Sequence, residues 1–287
     1  MKATIQRGKS RRPITWLTTA LLILWCYLWW SRSHHESAPD GWQIITCDVG
    51  QGSATLVRST NDSAVLVDTG PEQGDLDECL RWARVRRLSA ILLSHEHADH
   101  IGNLEHARQF LDTKSGQVLC SPAMASSCQP VSTGQQITVG NAELQVLWPH
   151  TTNVHRLSTN NSSLILHVEV KPWHAPGTAT TPLTALLPGD AESPALDQTP
   201  WNDDTPVDIL ALAHHGSKTS GTTYLEKVSP DITVASTGKN NSYGHPHQVA
   251  VQELRKLNIP LLNTADSGHI AFQRTPTGLL THTQKHP

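Results

Sequence analysis

The sequence predicts an α/β fold in which two mixed sheets pack face to face with helices outside. Strand-like apolar runs arrive at short intervals with turn residues between them, and helical stripes interrupt the series. The runs also lack strict polar alternation, as expected of strands covered on both faces. Strands then helices, twice over, suit layered packing around one core, and 287 residues are enough to bury a large one.

In chain order, "WQIITCDV" (42–49), "SATLVRS" (53–59) and "SAVLVDTG" (63–70) read as strands. "DLDECLRWARVRRL" (75–88) places Leu76, Leu80, Ala83 and Leu88 on one stripe of a helix with an arginine-rich outer face. It feeds the strand "SAILLS", and another helix is expected over 101–112. Strands "QQITVG", "AELQVLWP", "SSLILHVEV", "LTALLPGD" and "VDILALAHHG" follow. Helices return over 220–228 and 246–257, with "DITVAST" between them; "PWHAPGTATTP" (172–182) reads as an irregular insertion.

The N-terminus divides sharply. Residues 1–13 carry Lys2, Arg7, Lys9, Arg11 and Arg12, and residues 14–30, "ITWLTTALLILWCYLWW", carry no charge. Such a segment is at the short end of the range for a membrane span, and Trp29 and Trp30 suit the interfacial belt. No small-residue cleavage site follows, so an uncleaved anchor is preferred to a signal peptide. The basic flank keeps the N-terminus in the cytoplasm. A linker (31–41) and an outward-facing domain (42–287) complete a single-pass protein of the cell membrane. In an oxidising compartment Cys120 and Cys128 can staple the loop "SPAMASS"; Cys47 and Cys79 read as small buried hydrophobes.

With 22 Lys+Arg against 25 Asp+Glu, nucleic acid is not held by bulk charge, though a local patch such as Arg81, Arg84, Arg86 and Arg87 is not excluded. The 17 histidines matter by position. "ILLSHEHADHIGN" runs from a buried strand into three histidines and two carboxylates. His95 and His97, two apart, point to one side of an extended segment, and Asp99 and His100 address a neighbouring position. Two ligand sets in one loop suggest two metal ions, and imidazole with carboxylate suits zinc or manganese. Asp190 ends another apolar strand, and His214 and His215 end a third. Asp68, at the end of "VLVD", can support the ligands through hydrogen bonds.

H-x-H-x-D-H after an apolar strand, with "LVDTG" before it and "GD" and a late histidine after it, resembles the metallo-β-lactamase superfamily. "CDVGQGSATLV", "LLPGDAE", "HHGSKTS" and "NSYGHPH" further resemble the hydrolase domain of ComEC-type competence proteins, over about residues 42–275. The resemblance implies an αββα sandwich with its metal site at one edge. It implies that His95 and His97 hold the first ion, that Asp99, His100 and one of His214 or His215 hold the second, and that Asp190 bridges them. The superfamily's third-segment histidine has no counterpart: Asn160 and Asn161 stand there and count as supporting residues, and the first site is expected to be weaker or to favour manganese. The implied chemistry is metal-assisted hydrolysis of a phosphodiester. Ser217 and Lys218 would contact phosphate, Ser242 and Tyr243 would line the substrate, and His245 or His247 would protonate the leaving group. "DVGQG" makes a tight turn, placing Asp48 and Gln51 in supporting positions near the metal rim.

The favoured function is an anchored phosphodiesterase or DNA nuclease, working either beside a separately encoded uptake channel or as a free-standing hydrolase, since one span cannot form a channel. Ser53, where the resembling proteins often have Asp, and "TADSGHIAF" depart from their pattern and bear on substrate choice. The alternative is hydrolysis of a carbonyl substrate, a β-lactam or thioester, on the same fold. A binding module with structural metal is disfavoured, because such sites are usually rich in cysteine.

Overall fold

The computed structural model describes residues 18–25, 37–152, 154–172, 181–201 and 207–285. The chain divides into two units, Met1–Glu36 and Ser37–Pro287. In the first, residues 18–25 form helix α1, with Leu21, Leu22, Ile23, Leu24 and Trp25 exposed. The rest of the expected anchor, 14–17 and 26–30, lies outside the described residues, as do 1–13, 31–36 and most of the insertion at 172–182. Among the described residues no helix is long and apolar enough to cross a membrane.

The second unit opens with β1 (Ile44–Thr46), β2 (Thr55–Arg58), β3 (Ser63–Val67), α2 (Leu76–Ala83) and β4 (Arg87–Leu93). Next come α3 (Ala98–Ile101), α4 (Leu104–Ala107), β5 (Gln117–Cys120), β6 (Gln129–Pro130), β7 (Gln136–Val139), β8 (Ala142–Trp148) and β9 (Ile165–Val170). The second half holds β10 (Leu183–Leu187), α5 (Ser193–Leu196), β11 (Ile209–Ala211), α6 (Thr223–Val228), β12 (Ile232–Ala235) and α7 (Gln248–Lys256). It ends with β13 (Leu261–Asn263), α8 (Thr264–Ser267), β14 (Ile270–Thr275) and β15 (Gly278–Thr283). One sheet runs β15-β14-β1-β2-β3-β4-β5-β6 and the other β13-β12-β11-β10-β9-β8-β7.

Burial on both faces shows in alternate residues of single strands. Val65 and Leu92 face Leu144, Leu166 and Leu183 between the sheets. Their neighbours Leu66, Ile91 and Leu93 turn outward and pack with Leu76, Leu80 and Trp82 of α2. On the opposite side Leu186 and Leu210 pack with Tyr224 and Leu225 of α6 and Leu254 of α7. The order of layers is therefore helix, sheet, sheet, helix, as expected from the sequence.

Several boundaries differ. The helix expected over 75–88 stops at Ala83, because Arg84 turns left-handed (φ 58°) and returns its N–H to Arg81 and Leu80 carbonyls. Arg86 and Arg87 then donate to the Asp62 carbonyl and lead into the sheet. The helix expected over 101–112 is broken at Gly102 and Asn103. A side chain at Gly102 would collide with the Glu72 amide and the Ala98 carbonyl, and the Asn103 amide ties down Pro71 and Gly74 instead. Strands β5, β6 and β13 and the C-terminal hairpin were not anticipated. Cys120–Cys128 is bridged as expected, but Cys47 and Cys79 are more than buried hydrophobes: they form a second disulfide, pinning β1 to α2.

Candidate metal centre

The chain parallels β3 to β4, and β10 to β11 and β12, so their carboxyl ends meet at one edge of the sandwich. Asp68 leaves β3 there, the His95–His100 loop leaves β4, Asp190 follows β10, and His214–His215 follow β11. Loops beyond the carboxyl ends of parallel strands are where such architectures gather ligands.

Two groups of side chains converge. Ligand atoms of His95, His97 and Asp190 lie within 4.8 Å of one another, and so do those of Asp99, His100, Asp190 and His215. Asp190 belongs to both and is nearly inaccessible. Its Oδ1 stands 3.0 Å from His100 Nε2 and 3.5 Å from His215 Nε2, and its Oδ2 stands 3.7 Å from His95 Nε2 and 3.5 Å from His214 Nε2. The carboxylate thus divides the imidazoles between its two oxygens.

Hydrogen bonds behind the ligands fix which ring nitrogens are free. The Asp68 carboxylate accepts from the Ser94 N–H (2.7 Å), the Ser94 hydroxyl (2.8 Å) and His100 Nδ1 (2.7 Å). With its proton on Nδ1, His100 turns the Nε2 lone pair toward Asp190. The Ser94 oxygen also meets His95 Nδ1 at 3.0 Å, so His95 likewise presents Nε2. That nitrogen is buried without a hydrogen-bond partner, and so is Asp190 Oδ1. His100 Nε2, His215 Nε2 and Asp190 Oδ1 are lone-pair donors crowded together, an arrangement that calls for a cation among them. The residues therefore fit the divalent ions that the sequence implies.

The electrostatics agree. Burial opposes a charge on His100, yet Asp190 and Asp68 outweigh it and hold its pKa well above the ordinary value. Burial likewise opposes ionisation of Asp190, but His100 and His215 keep it well below the carboxylate range. Asp99 is lowered to about 2, burial being overcome by its hydrogen bond to His215 and the neighbouring imidazoles. Burial, reinforced by His100, pushes His95 down to about 2. The two carboxylates that favour positive charge on His100 would equally favour a cation at its Nε2.

His214 and His215 both adopt left-handed backbone, φ 50° and 56°, which for side chains of this size marks a constrained site. The two consecutive turns aim the rings apart. His215 goes inward with the second group, while His214 turns to Glu192 and Thr219. The choice left open by the sequence thus falls on His215 for the second group.

A cleft of about 600 Å³ opens over these residues, lined also by Gln51, Glu72, Gln73, Tyr243 and His245. His245 lies against His215 and Tyr243 in near-parallel ring stacks, and burial beside His215 and His214 lowers its pKa to about 4. Near neutrality it is an uncharged ring with an N–H to offer. Gln51 is at the rim as anticipated and accepts from the Gly238 N–H.

Other expected residues stand elsewhere. Asp48 is tied to Lys285 at 2.9 Å, and its N–H donates to His269, so it does not support the metal groups. His247 caps α7 by accepting the Val249 N–H. Ser217 spends its hydroxyl capping the turn at Thr219. Lys218 and Ser242 are exposed and do not line the cleft. The arginine cluster is at the start of β4, with Arg87 paired to Asp62 and Arg84 to Asp40, at the end of the strand opposite the metal groups. Asn160 and Asn161 hold Glu192 through their amides. Ser94 and Glu192 were not singled out in the sequence, although each adjoins a motif that was. Nor was Ser163 singled out, whose hydroxyl accepts the Asp190 N–H.

Comparison with known proteins agrees with this geometry. Residues 47–116 match the metallo-beta-lactamase superfamily model. Recombination protein 2 of Haemophilus influenzae is 31% identical over 80% of this chain and 28% of its own length. ComE operon protein 3 of Bacillus subtilis is 27% identical over 80% of this chain and 33% of its own length. Competence protein ComA of Neisseria gonorrhoeae is 29% identical over 93% of this chain and 36% of its own length. The chain spans about a third of the length of these curated relatives. The sandwich, the clustered histidines and aspartates, and these matches together identify the chain as a member of the metallo-β-lactamase superfamily related to competence proteins.

Proposed function

We propose that this hydrolase is a membrane-anchored, outward-facing phosphodiesterase that cleaves DNA with two divalent cations, zinc or manganese, beside a separately encoded uptake channel. The observation that carries the reading is the sharing of Asp190 between two groups of lone-pair donors. In this reading His95, His97 and Asp190 hold one ion, and Asp99, His100, His215 and Asp190 hold the other. Two such ions supply Lewis acidity to a water and to a phosphoryl oxygen.

The protein groups do the rest. Asp68 and Ser94 set the tautomers of His100 and His95. Asp99, held ionised, faces the cleft and can accept a proton or orient a hydroxyl. His245, whose Nδ1 is buried without a partner, lines the cleft beside His214 and His215 and can offer an N–H to a substrate oxygen. Tyr243, 70% exposed at the rim, presents a ring face to the organic part of the substrate. The competence relatives support DNA as the polymer, and the two disulfides support an oxidising compartment. The uncharged segment at 14–30 supports the anchor.

The test is hydrolysis of plasmid DNA, single-stranded DNA, a bis-aryl phosphodiester and a chromogenic β-lactam by the full chain with added zinc or manganese. Metal-dependent phosphodiester cleavage is expected, with a loss of about a thousandfold or more in Asp190→Ala, the usual scale for electrostatic stabilisation of a transition state. Turnover of the β-lactam without phosphodiester cleavage would sink this reading in favour of the carbonyl alternative.

A further inference from the structure

The two metal groups are unequal. The second has four side chains, whereas the first has His95, a half-buried His97 and a shared Asp190, with asparagines where the superfamily's third-segment histidine would stand. We propose that His214 supplies the missing nitrogen to the first ion, oriented by Glu192, and that Asn160 and Asn161 serve to hold Glu192. This rests on the two-ion reading above.

Three observations carry it. First, His214 Nε2 approaches Asp190 Oδ2 at 3.5 Å, the same oxygen that faces His95. His100 and His215 face Oδ1 instead. Second, the far side of the ring is built like that of a metal-binding histidine. His214 Nδ1 lies 3.3 Å from the Thr219 hydroxyl and 3.6 Å from Glu192 Oε1, as His100 Nδ1 lies against Asp68. Acceptors behind Nδ1 keep the proton there and leave the Nε2 lone pair for the Asp190 side, the arrangement that raises ligand basicity at metal sites. Third, Glu192 is itself fixed. The Asn160 amide donates to Oε1 (3.3 Å), the Asn161 amide to Oε2 (3.5 Å), and the Glu192 N–H donates to Asn161 Oδ1 (3.2 Å).

The asparagines therefore have a role without touching the ion. A histidine lost from one segment is replaced by one from another, and the vacated position holds the carboxylate that orients the replacement. His214 stands outside the tight first group, with its ring partly exposed and its Nε2 on the Asp190 Oδ2 side. Its strained backbone, φ 50°, is what points it to this side while His215 points to the other.

The experiment is competitive chelator titration of the full chain with manganese and cobalt, resolving two binding steps, together with the visible absorption of the cobalt form. His214→Ala should weaken one step by about 100-fold, and Glu192→Gln, which preserves size, by about tenfold, the range found when groups around a metal are altered. The affected step should be the one weakened by His97→Ala, and the cobalt bands of that site should shift in both variants. A merely structural role would leave those bands in place. A wild-type chain that holds fewer than two ions would overturn both this inference and the two-ion reading. Two ions held as tightly by His214→Ala as by the wild type would overturn the inference alone. So would a loss confined to the step that His215→Ala weakens, or an unchanged Glu192→Gln.

Discussion

The relay behind the ligands gives the sharpest prediction, for Asp68→Asn. The wild-type carboxylate receives three donors: the Ser94 N–H, the Ser94 hydroxyl and His100 Nδ1. An amide has one oxygen and one NH₂ group, so the two donors that meet Oδ2, the Ser94 hydroxyl and His100 Nδ1, would face another donor if Oδ2 became the NH₂. The backbone N–H cannot reverse, so the amide oxygen stays at 2.7 Å from Ser94 N and the NH₂ takes the place of Oδ2. His100 must then accept at Nδ1 and carry its proton on Nε2, 3.0 Å from Asp190 Oδ1 and 3.3 Å from His215 Nε2. A proton replaces the lone pair that would meet the cation. The Ser94 hydroxyl, deprived of its acceptor, turns to His95 Nδ1 and inverts that ring too. Both ions should weaken by about 10- to 100-fold, or about 1.4–2.7 kcal/mol each. Ser94→Ala, which leaves the Asp68–His100 bond in place, should weaken only the ion of His95. Chelator competition on the full chain measures both. Wild-type affinity for both ions in a folded Asp68→Asn protein would refute the tautomer argument.

Metal-free protein should lose stability on both sides of neutrality. His95 is depressed to about 2, so below about pH 6.5 the unfolded chain takes up a proton that the folded chain refuses, and stability falls by about 1.4 kcal/mol per pH unit. His100 is raised, so its contribution is complete below its unfolded pKa and is lost as pH climbs through the folded one. Denaturant melts of chelator-treated protein across pH check this, and a flat profile between pH 5 and 6.5 would contradict it. Replacing Cys47 and Cys79 by alanine opens a link across 32 residues, with an expected loss of about 3–4 kcal/mol in the same melts.

What could be read from the sequence was what strand ends carry. The His95–His100 loop, Asp68 and Asp190 each follow an apolar run directly, so their meeting needed only the rule that parallel strands end together. Distant pairings were hidden. Cys47 and Cys79 look like core residues because they are fully buried; the bond between them depends on α2 lying over β1. The choice between His214 and His215 depends on two left-handed residues in succession, which no propensity of histidine announces. Asp48 and His247 sat in suggestive motifs, but one is tied to Lys285 and the other to the start of α7. Arg84 fell inside the helix expected over 75–88 because the apolar stripe runs on to Leu88, whereas tertiary context gave it a left-handed cap. Of the C-terminal hairpin, β15 is only half-buried and carries little apolar signal, and the apolar run of β14 is just Ile270, Ala271 and Phe272.

The cleft also restricts which anion it can take. Among the described residues its lining includes no lysine or arginine, while Glu72 and Asp99 contribute carboxylates. On the proposed two-ion reading, a phosphate entering it would meet compensating charge only from cations held by the histidine groups. That favours a diester, with one negative charge, over a terminal phosphate that brings a second charge close to Glu72. Tyr243 gives the organic part of such a diester an aromatic face, which every nucleobase can use without sequence preference. The arginines at the start of β4 are about 20 Å from the ligands that follow its end, given a seven-residue strand rising about 3.3 Å per residue. They can touch only a remote part of a long polymer. Under the proposed reading, the chemistry at the metal groups and any polymer contact at the β4 arginines would fall on separate surfaces of a nearly neutral chain.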